Sequence, residues 1–428
     1  MKLSDFQKIH FIGVGGIGMS ALARLCLHEK KEVSGSDRAP SAITKALADE
    51  GVTVYESQGE NNIHSSYDLV VYTEAVGEGS EGYPELLKAR ELSIPTVNYF
   101  DALGMVANEY YLIAVAGSHG KTTTTAMLID ILETAGLDPS AVVGSLRAKT
   151  KSNYRAGKSK YFIVEACEYR RDFLSLTPDV LVITNLEHEH VDYYKDLEAV
   201  QLAFREFVGQ VRPGGFVVAN LADEKVKSVL TETKATVVDY GKYFNPLRQL
   251  TMPGMHNQQN AAAAVAAASQ VGISEVEADQ ALGTFAGTWR RFEYKGEVNG
   301  AKVYDDYGHH PTEIVATIKG VRELYPNKKL ILIFQSHTYT RTHELFDDFV
   351  AALKLADQTY VLPIYAAREE NISGVSHTKL AEAIGDRAQA FDNFGAVIQH
   401  VRATAGPDDT ILVMGAGDIT RVANELVV

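Results

Sequence analysis

Short runs of β-branched and aromatic residues alternate with stretches of helical periodicity from one end of the chain to the other. That alternation predicts α/β domains built on mainly parallel sheets. The first stretch reads as a strand at 9–14, a Gly-rich turn and a helix to about residue 29, then strands at 33–36 and 68–73. A loop rich in Gly and Glu at 74–82 leads to a helix starting near Pro84. A last short strand falls around Pro95 and Val97, and 101–109 reads as the passage to a new domain. The second stretch opens with an apolar strand at 111–116. Leu128, Ile131, Leu132 and Ala135 then recur at helical spacing on one face, and Gly136 stops that helix. Strands at 161–165, 180–185 and 216–220 and an alanine-rich helix at 261–268 follow. A third alternation carries strands at 302–305, 330–334, 359–362 and 411–414. The pattern divides into three α/β domains, 1–106, 107–287 and 288–428, with no internal repeat.

Composition sharpens this picture. With 46% hydrophobic and 22% charged residues over 428 positions, the chain has material for several cores, and dominant disorder is excluded. Lys+Arg number 41 against 55 Asp+Glu, a net charge of −14, which opposes nucleic acid and anionic membranes as partners. Small anionic ligands stay possible, because they answer to local N–H groups and single cations. Cys26 and Cys167 are the two cysteines, too few for a disulfide framework, so a reducing compartment is expected. The first residues, MKLSDFQKIHFIGVGG, show no long apolar stretch ahead of a cleavage site and no run of ~18 apolar residues occurs, so the expectation is a cytoplasmic protein without a membrane span.

The strongest chemical signal is Gly117-Ser118-His119-Gly120-Lys121-Thr122-Thr123 between a strand and a helix. A phosphate site needs converging backbone N–H groups, a helix N-terminus, a Lys charge and a hydroxyl for Mg²⁺, and all four are available here. The eight-residue P-loop pattern is not matched, since Val115 stands at its first Gly. Two later strands end in candidate metal ligands, Glu165 after an apolar run and His190 in Asn185-Leu-Glu-His-Glu-His190. If the strands are placed correctly, Thr122, Glu165 and His190 share the carboxyl edge of one sheet, where open α/β sheets bind ligands. Glu187, His188 and Glu189 read equally well as loop charges. Near the N-terminus, Gly13-Val14-Gly15-Gly16-Ile17-Gly18 with Asp37 downstream suits a pyrophosphate on a helix N-terminus, from NAD or any other nucleoside diphosphate. His256-Asn257-Gln258-Gln259-Asn260 precedes the alanine-rich helix, Arg290-Arg291-Phe292 lies at a domain junction, and Asp305-Asp306-Tyr307-Gly308-His309-His310 follows a strand. Each of these is either a cap or turn or part of a site. His337 and Arg341, after the strand at 330–334, are pocket candidates.

These motifs, in this order over nearly the whole chain, resemble the Mur ligases. The resemblance implies an N-terminal Rossmann-like UDP-binding domain, a central P-loop-like ATPase domain and a C-terminal Rossmann-like domain. It implies an ATP-dependent carbon–nitrogen ligase of peptidoglycan precursor synthesis, with Mg²⁺ as cofactor and UDP-N-acetylmuramate and L-alanine as substrates, working as a monomer or homodimer. It further implies that Gly117–Thr123 hold ATP phosphates and that Thr122, Glu165 and His190 bind metal. Asn257 and Asn260 would flank the nucleotide, and Arg291 and Asp306 would reach it from the third domain. Gly13, Gly15, Gly16, Gly18 and Asp37 would hold UDP, while His309, His337 and Arg341 would face the amino acid, His309 aiding amine deprotonation. Only 241–255 stands where the family carries a longer segment, so a small accessory sheet is expected to be missing. The absence of Lys between Lys195 and Lys225 fits the alanine-adding branch. A preformed peptide is the alternative amine. A nicotinamide-dependent dehydrogenase would leave Lys121-Thr122 without a task, and a nucleotide-regulated binding protein would lack turnover.

Overall fold

In the computed structural model, which describes residues 2–190, 193–367, 369–371 and 374–428, three sheets follow one another along the chain. The first contains β1 (Lys8–Ile12), β2 (Glu32–Ser36), β3 (Thr53–Tyr55), β4 (Leu69–Tyr72) and β5 (Thr96–Asn98), all parallel, in the order β3-β2-β1-β4-β5. Ile9, His10, Phe11 and Ile12 are all buried, because helices cover both faces of a parallel sheet and the strand has no solvent side. The order reverses at β1, and the Gly-rich turn leaves from its carboxyl end into the helix Ile17–His28.

The second sheet contains β6 (Tyr111–Ala116), β7 (Ser140–Val142), β8 (Tyr154–Arg155), β9 (Tyr161–Glu165), β10 (Val180–Ile183), β11 (Phe216–Ala219) and β12 (Thr236–Asp239). Their order is β12-β11-β10-β6-β9-β7-β8, so the chain fills one side of β6, then the other. The reversal places the carboxyl ends of β9 and β10 on either side of the turn that follows β6. The helix Lys121–Thr134 starts there, and every residue from Thr122 to Leu132 is buried. Between Tyr243 and Met255 no strand forms, in line with the expected loss of an accessory sheet.

The third sheet has β13 (Glu293–Val298), β14 (Ala301–Asp306), β15 (Lys329–His337), β16 (Gln358–Tyr365), β17 (Ala388–Ala390) and β18 (Asp409–Met414), ordered β13-β14-β18-β15-β16-β17. Only the β13–β14 hairpin is antiparallel, with a bulge between Tyr294 and Gly296. The periodicity pattern had missed β3, β7, β8, β12, β13 and β17. Most are two to four residues long and sit at or next to a sheet edge, where alternation is too short to register. The alanine-rich helix is longer than expected, Met255–Ser269, so His256 to Asn260 lie inside its first turns rather than ahead of it.

Two compact units result, Met1–Phe244 with Asn260–Leu282, and Asn245–Gln259 with Gly283–Val428. Within the first, Asn153, just ahead of β8, ties the second sheet's edge to the helix Ile17–His28: its side-chain amide donates to the Ile17 carbonyl and reaches Ser20 Oγ at 3.3 Å, and it accepts from Arg24 at 3.2 Å. The first sheet also carries a buried carboxylate, Glu85. It accepts from Ser36 Oγ (2.6 Å), Asn62 Nδ2 (2.7 Å) and Gly59 N (2.8 Å), and lies 3.3 Å from His10 Nε2. Burial pushes its pKa up, but hydrogen bonds from His10, Ser36, Gly59 and Asn62 outweigh burial and hold the carboxyl below its ordinary 4.5. Removing the acceptor orphans several buried donors, so E85A is expected to lose about 3–5 kcal/mol. Because the folded pKa is the lower one, the contribution of Glu85 is complete above pH 4.5 and drains as pH falls below it. Urea unfolding of parent and E85A should therefore diverge at neutral pH and converge in acid; equal midpoints at pH 7 would refute the network's role.

Candidate active site

The turn after β6 is built around two glycines with left-handed backbone, Gly117 (φ 127) and Gly120 (φ 81). A Cβ on Gly117 would lie 2.1 Å from Thr184 Oγ1, and one on Gly120 would lie 2.2 Å from Asn260 Oδ1. No other residue type fits either position. The carboxyl end of β10 fastens the turn: Ser118 N donates to the Asn185 carbonyl (3.0 Å) and His119 N to Asn185 Oδ1 (2.9 Å), while Thr184 Oγ1 donates to the His119 carbonyl (2.6 Å). Thr122 and Thr123, in the first turn of the helix, are both buried.

Thr122 Oγ1 donates to Glu165 Oε1 at 2.8 Å, and Glu165 Oε2 accepts from Gly144 N at 2.7 Å. The expected pairing of hydroxyl and carboxylate at the ends of β6 and β9 is thus present. His190, held at φ 54, lies beside Tyr169 with ring centroids 4.9 Å apart. A left-handed non-glycine residue is uncommon, and such strain concentrates at sites of function. His190 Nε2 is 3.5 Å from Glu168, a residue that sequence reading had passed over. Glu168 is 2% exposed and accepts from Lys121 Nζ at 2.9 Å. Its signal was legible in Glu165-Ala-Cys-Glu168, a second carboxylate close behind an apolar strand. Glu187 and Glu189 are not idle loop charges either: Glu187 Oε2 lies 3.2 Å from His119 Nε2, and Glu189 is buried.

In the first sheet's turn, Asp37 accepts from Gly15 N at 2.8 Å, and Gly13 and Val14 N donate to the Ser36 carbonyl. A Cβ on Gly15 would touch Asp37 Oδ2, and one on Gly18 would sit 2.6 Å from the ring of Tyr99. Gly16 is the N-cap of the helix Ile17–His28, and its side-chain-free position makes no capping hydrogen bond to the helix start.

The second unit gathers another group. Asp306, 7% exposed, accepts from Gly308 N (2.7 Å) and Phe292 N (2.8 Å); burial pushes its pKa up to about 6 against the pull of Arg291. Arg291 lies 3.8 Å from Glu313 and over the ring of Tyr307. Asn257 is turned onto its own helix start, donating to the Pro253 carbonyl at 2.7 Å. His309 and His337 are 6.0 Å apart, and His337 stacks on Tyr365. Burial lowers His309 to about 3 and His337 to about 4, with Arg341 adding to both shifts. Burial thus works against the near-neutral base expected at His309, whose Nδ1 lies 3.2 Å from the Tyr307 carbonyl and 3.5 Å from Glu313. Among the described residues the Arg341 guanidinium has no hydrogen-bond or ion-pair partner. Arg290, by contrast, is structural, donating to the carbonyls of Gly415 and Gly417.

Three family models match in sequence: the Mur ligase catalytic-domain model over 8–111, the Mur ligase middle domain over 115–249, and the Mur ligase glutamate ligase domain over 290–417. The chain belongs to the Mur ligase family. Among its relatives, a UDP-N-acetylmuramate–L-alanine ligase of Agathobacter rectalis is 38% identical, covering 99% of this chain and 98% of that protein. One of the same name from Acetivibrio thermocellus is 39% identical over 98% and 95%. Two solved structures resemble the fold along 98% of both chains. They are a UDP-N-acetylmuramate–alanine ligase of Thermotoga maritima (TM-score 0.81, 27% identity) and a murein peptide ligase of Psychrobacter arcticus (TM-score 0.73, 25% identity). In this Mur ligase, as in the sequence reading, the mixed α/β fold carries its motifs at the carboxyl ends of parallel strands.

The two glycines at the turn should be separable from ordinary left-handed glycines. Gly136 also has positive φ (75°), but a Cβ there meets nothing. G136A should cost only the backbone term, about 1–2 kcal/mol, whereas G117A must add overlap with Thr184 and lose clearly more. Thermal unfolding of the two variants measures the difference, and equal losses would mean that the turn is not clamped as described.

Proposed function

We propose that the protein joins L-alanine to the carboxylate of UDP-N-acetylmuramate at the expense of ATP, a step of peptidoglycan precursor synthesis in the cytoplasm. The observation that carries this reading is the Lys121–Thr122–Glu165 constellation on the clamped turn, in a chain that matches alanine-adding relatives over its full length. Residues 1–106 take the UDP-sugar, 107–287 take ATP and 288–428 take the amino acid. No helix of the described residues is long and apolar enough to cross a membrane.

The donor set at the turn suits Mg²⁺, which prefers hard oxygen ligands together with substrate phosphates. Thr122 and Glu165 already meet through oxygen, and Glu168 Oε2 is buried with no hydrogen-bond partner, so the site carries more negative charge than its own donors satisfy. Thr122, Glu165 and His190 would hold the ion, which when bound would neutralise phosphate charge. The protein's own work is positioning. The N–H groups of the turn and the Lys121 ammonium orient the γ-phosphate, and the Gly13–Gly18 turn fixes the pyrophosphate of the sugar nucleotide. The muramate carboxylate oxygen attacks the γ-phosphorus, the bridging P–O bond breaks and ADP leaves, giving an acyl phosphate. The alanine amine then attacks the acyl carbon and phosphate departs with its electron pair. Arg341 offers a planar fork to the alanine carboxylate, and His309 and His337, being neutral, leave the incoming ammonium unrepelled.

ADP release in the presence of UDP-N-acetylmuramate and a panel of amines tests the assignment. L-alanine should be used fastest. Glycine should remain detectable, because one methyl in an apolar site discriminates by only ~1–3 kcal/mol. Faster use of a preformed peptide, D-glutamate or a diamino acid would overturn the alanine assignment and leave the ligase class. K121A should still unfold cooperatively, at a lowered melting temperature because Glu168 loses its buried partner, and should lose about 10²–10³ in rate. R341K should raise KM for alanine more than it lowers kcat, since the lost fork acts on bound substrate and transition state alike.

A further inference from the structure

The ammonium that is to meet phosphate is fully engaged in this structure. A lysine has three N–H donors. Those of Lys121 end on the carbonyls of Gly117 and Ser118 (the latter at 3.0 Å) and on Glu168 Oε1 at 2.9 Å. The same carboxylate oxygen lies 3.5 Å from His190 Nε2, so one buried group serves both a phosphate-binding cation and a metal-site imidazole. Its surroundings are rigid. Tyr194 donates its hydroxyl to the Glu168 carbonyl at 2.5 Å, and Tyr194 is itself 3% exposed. A carboxylate this deep stays ionised only with a charged partner, and Lys121 is that partner.

We propose that Glu168 is a positioning residue: it holds Lys121 and His190 in register while the nucleotide is absent, and it gives up Lys121 when phosphate enters. This rests on the reading of the turn as the ATP site. Three consequences follow from the geometry. Phosphate oxygens must replace at least one of the three acceptors of Lys121, and the two carbonyls belong to the turn that receives the phosphate. Glu168 is the only charged acceptor among the three, so the cost of separating it from Lys121 is subtracted from the affinity for ATP, as a partly populated competent state always subtracts. Once Lys121 has moved, Glu168 remains beside His190 and fixes its ring. A purely structural ion pair would have neither effect.

A thermodynamic cycle separates the two. ATP binding is measured by calorimetry in excess EDTA, with no sugar nucleotide, for the parent, E168Q, K121M and the double variant. With Lys121 present, E168Q should tighten ATP on the order of tenfold; in the K121M background it should tighten it less than about threefold, the residue of simply removing a negative charge near phosphate. With Mg²⁺ and both substrates, E168Q should lower kcat at least about tenfold without raising KM for ATP, because binding improves while the shared anchor is lost. Equal changes in both backgrounds, or weaker ATP binding in E168Q, would overturn the proposal. E168D, whose carboxylate is one methylene shorter, goes through the same cycle and decides the matter if E168Q fails to fold; it should tighten ATP by less than E168Q. If the parent itself binds no metal-free ATP, the reading of the turn falls first; if it binds and the cycle is flat, only the role of Glu168 falls.

Discussion

The turn between β6 and the helix Lys121–Thr134 has no space for a side chain at either end, and the chemistry of the first unit hangs on that restriction. Gly117 abuts Thr184 and Gly120 abuts Asn260. The backbone between them is bonded to the Asn185 carbonyl and side chain. A loop of bare N–H groups is a poor phosphate site when it is mobile, since ordering it consumes the binding energy. Here β10 supplies the order before any ligand arrives. The same clamp brings the Asn185 segment, and with it His190, to the end of β6. The reversal of strand order around β6 sets Glu165 on the opposite side. Topology thus brings Thr122 and Glu165 into contact without a long loop and sets His190 beside Glu168.

Charge is handled differently in the two units. The first buries ions and pairs them: Glu168 with Lys121, Glu85 with its cluster of donors, Arg147 with Asp130 and Glu133. Pairing keeps these groups ionised, and an ionised Lys121 is what phosphate requires. The second unit pairs Arg290 with Asp305, lowers His309 and His337 by burial and, among the described residues, leaves the Arg341 guanidinium without an anion of its own. An amino acid bound on the proposed reading would meet weakly basic rings around a single fork: its carboxylate would have the guanidinium, and its ammonium would have no second cation among these imidazoles.

Much of this was written in the sequence. Gly-rich turns, Lys-Thr at a helix start and carboxylates at the ends of apolar runs are local patterns, and a parallel sheet places all of them on one edge. Thr122 and Glu165 met as expected for that reason. Tyr99 and Gly144 were not legible, because their roles depend on contacts across the fold. Tyr99 presses on Gly18 from eighty-one positions away, and Gly144 donates to a carboxylate on another strand. The basicity of His309 was out of reach for a related reason. A sequence shows that an imidazole exists, but its basicity is decided by how much water the fold leaves around it.

That last point bears on how the amine becomes a nucleophile. An imidazole lowered to about 3 is about three and a half units below its ordinary 6.5, and it holds a proton from alanine correspondingly poorly. It is a weak base at the start of the reaction. Burial works against a charge on this ring, while the Glu313 carboxylate 3.5 Å from Nδ1 works the other way. The proton lost on amide formation has a better acceptor in the reaction itself: the inorganic phosphate released from the acyl phosphate takes up a proton near neutral pH, and it is generated where the proton appears. Tyr307 and Glu313, which fix the His309 ring and backbone, then make His309 a wall with a defined hydrogen-bonding face. On this argument the fold uses burial to remove basicity at residue 309, and leaves the proton to the leaving group.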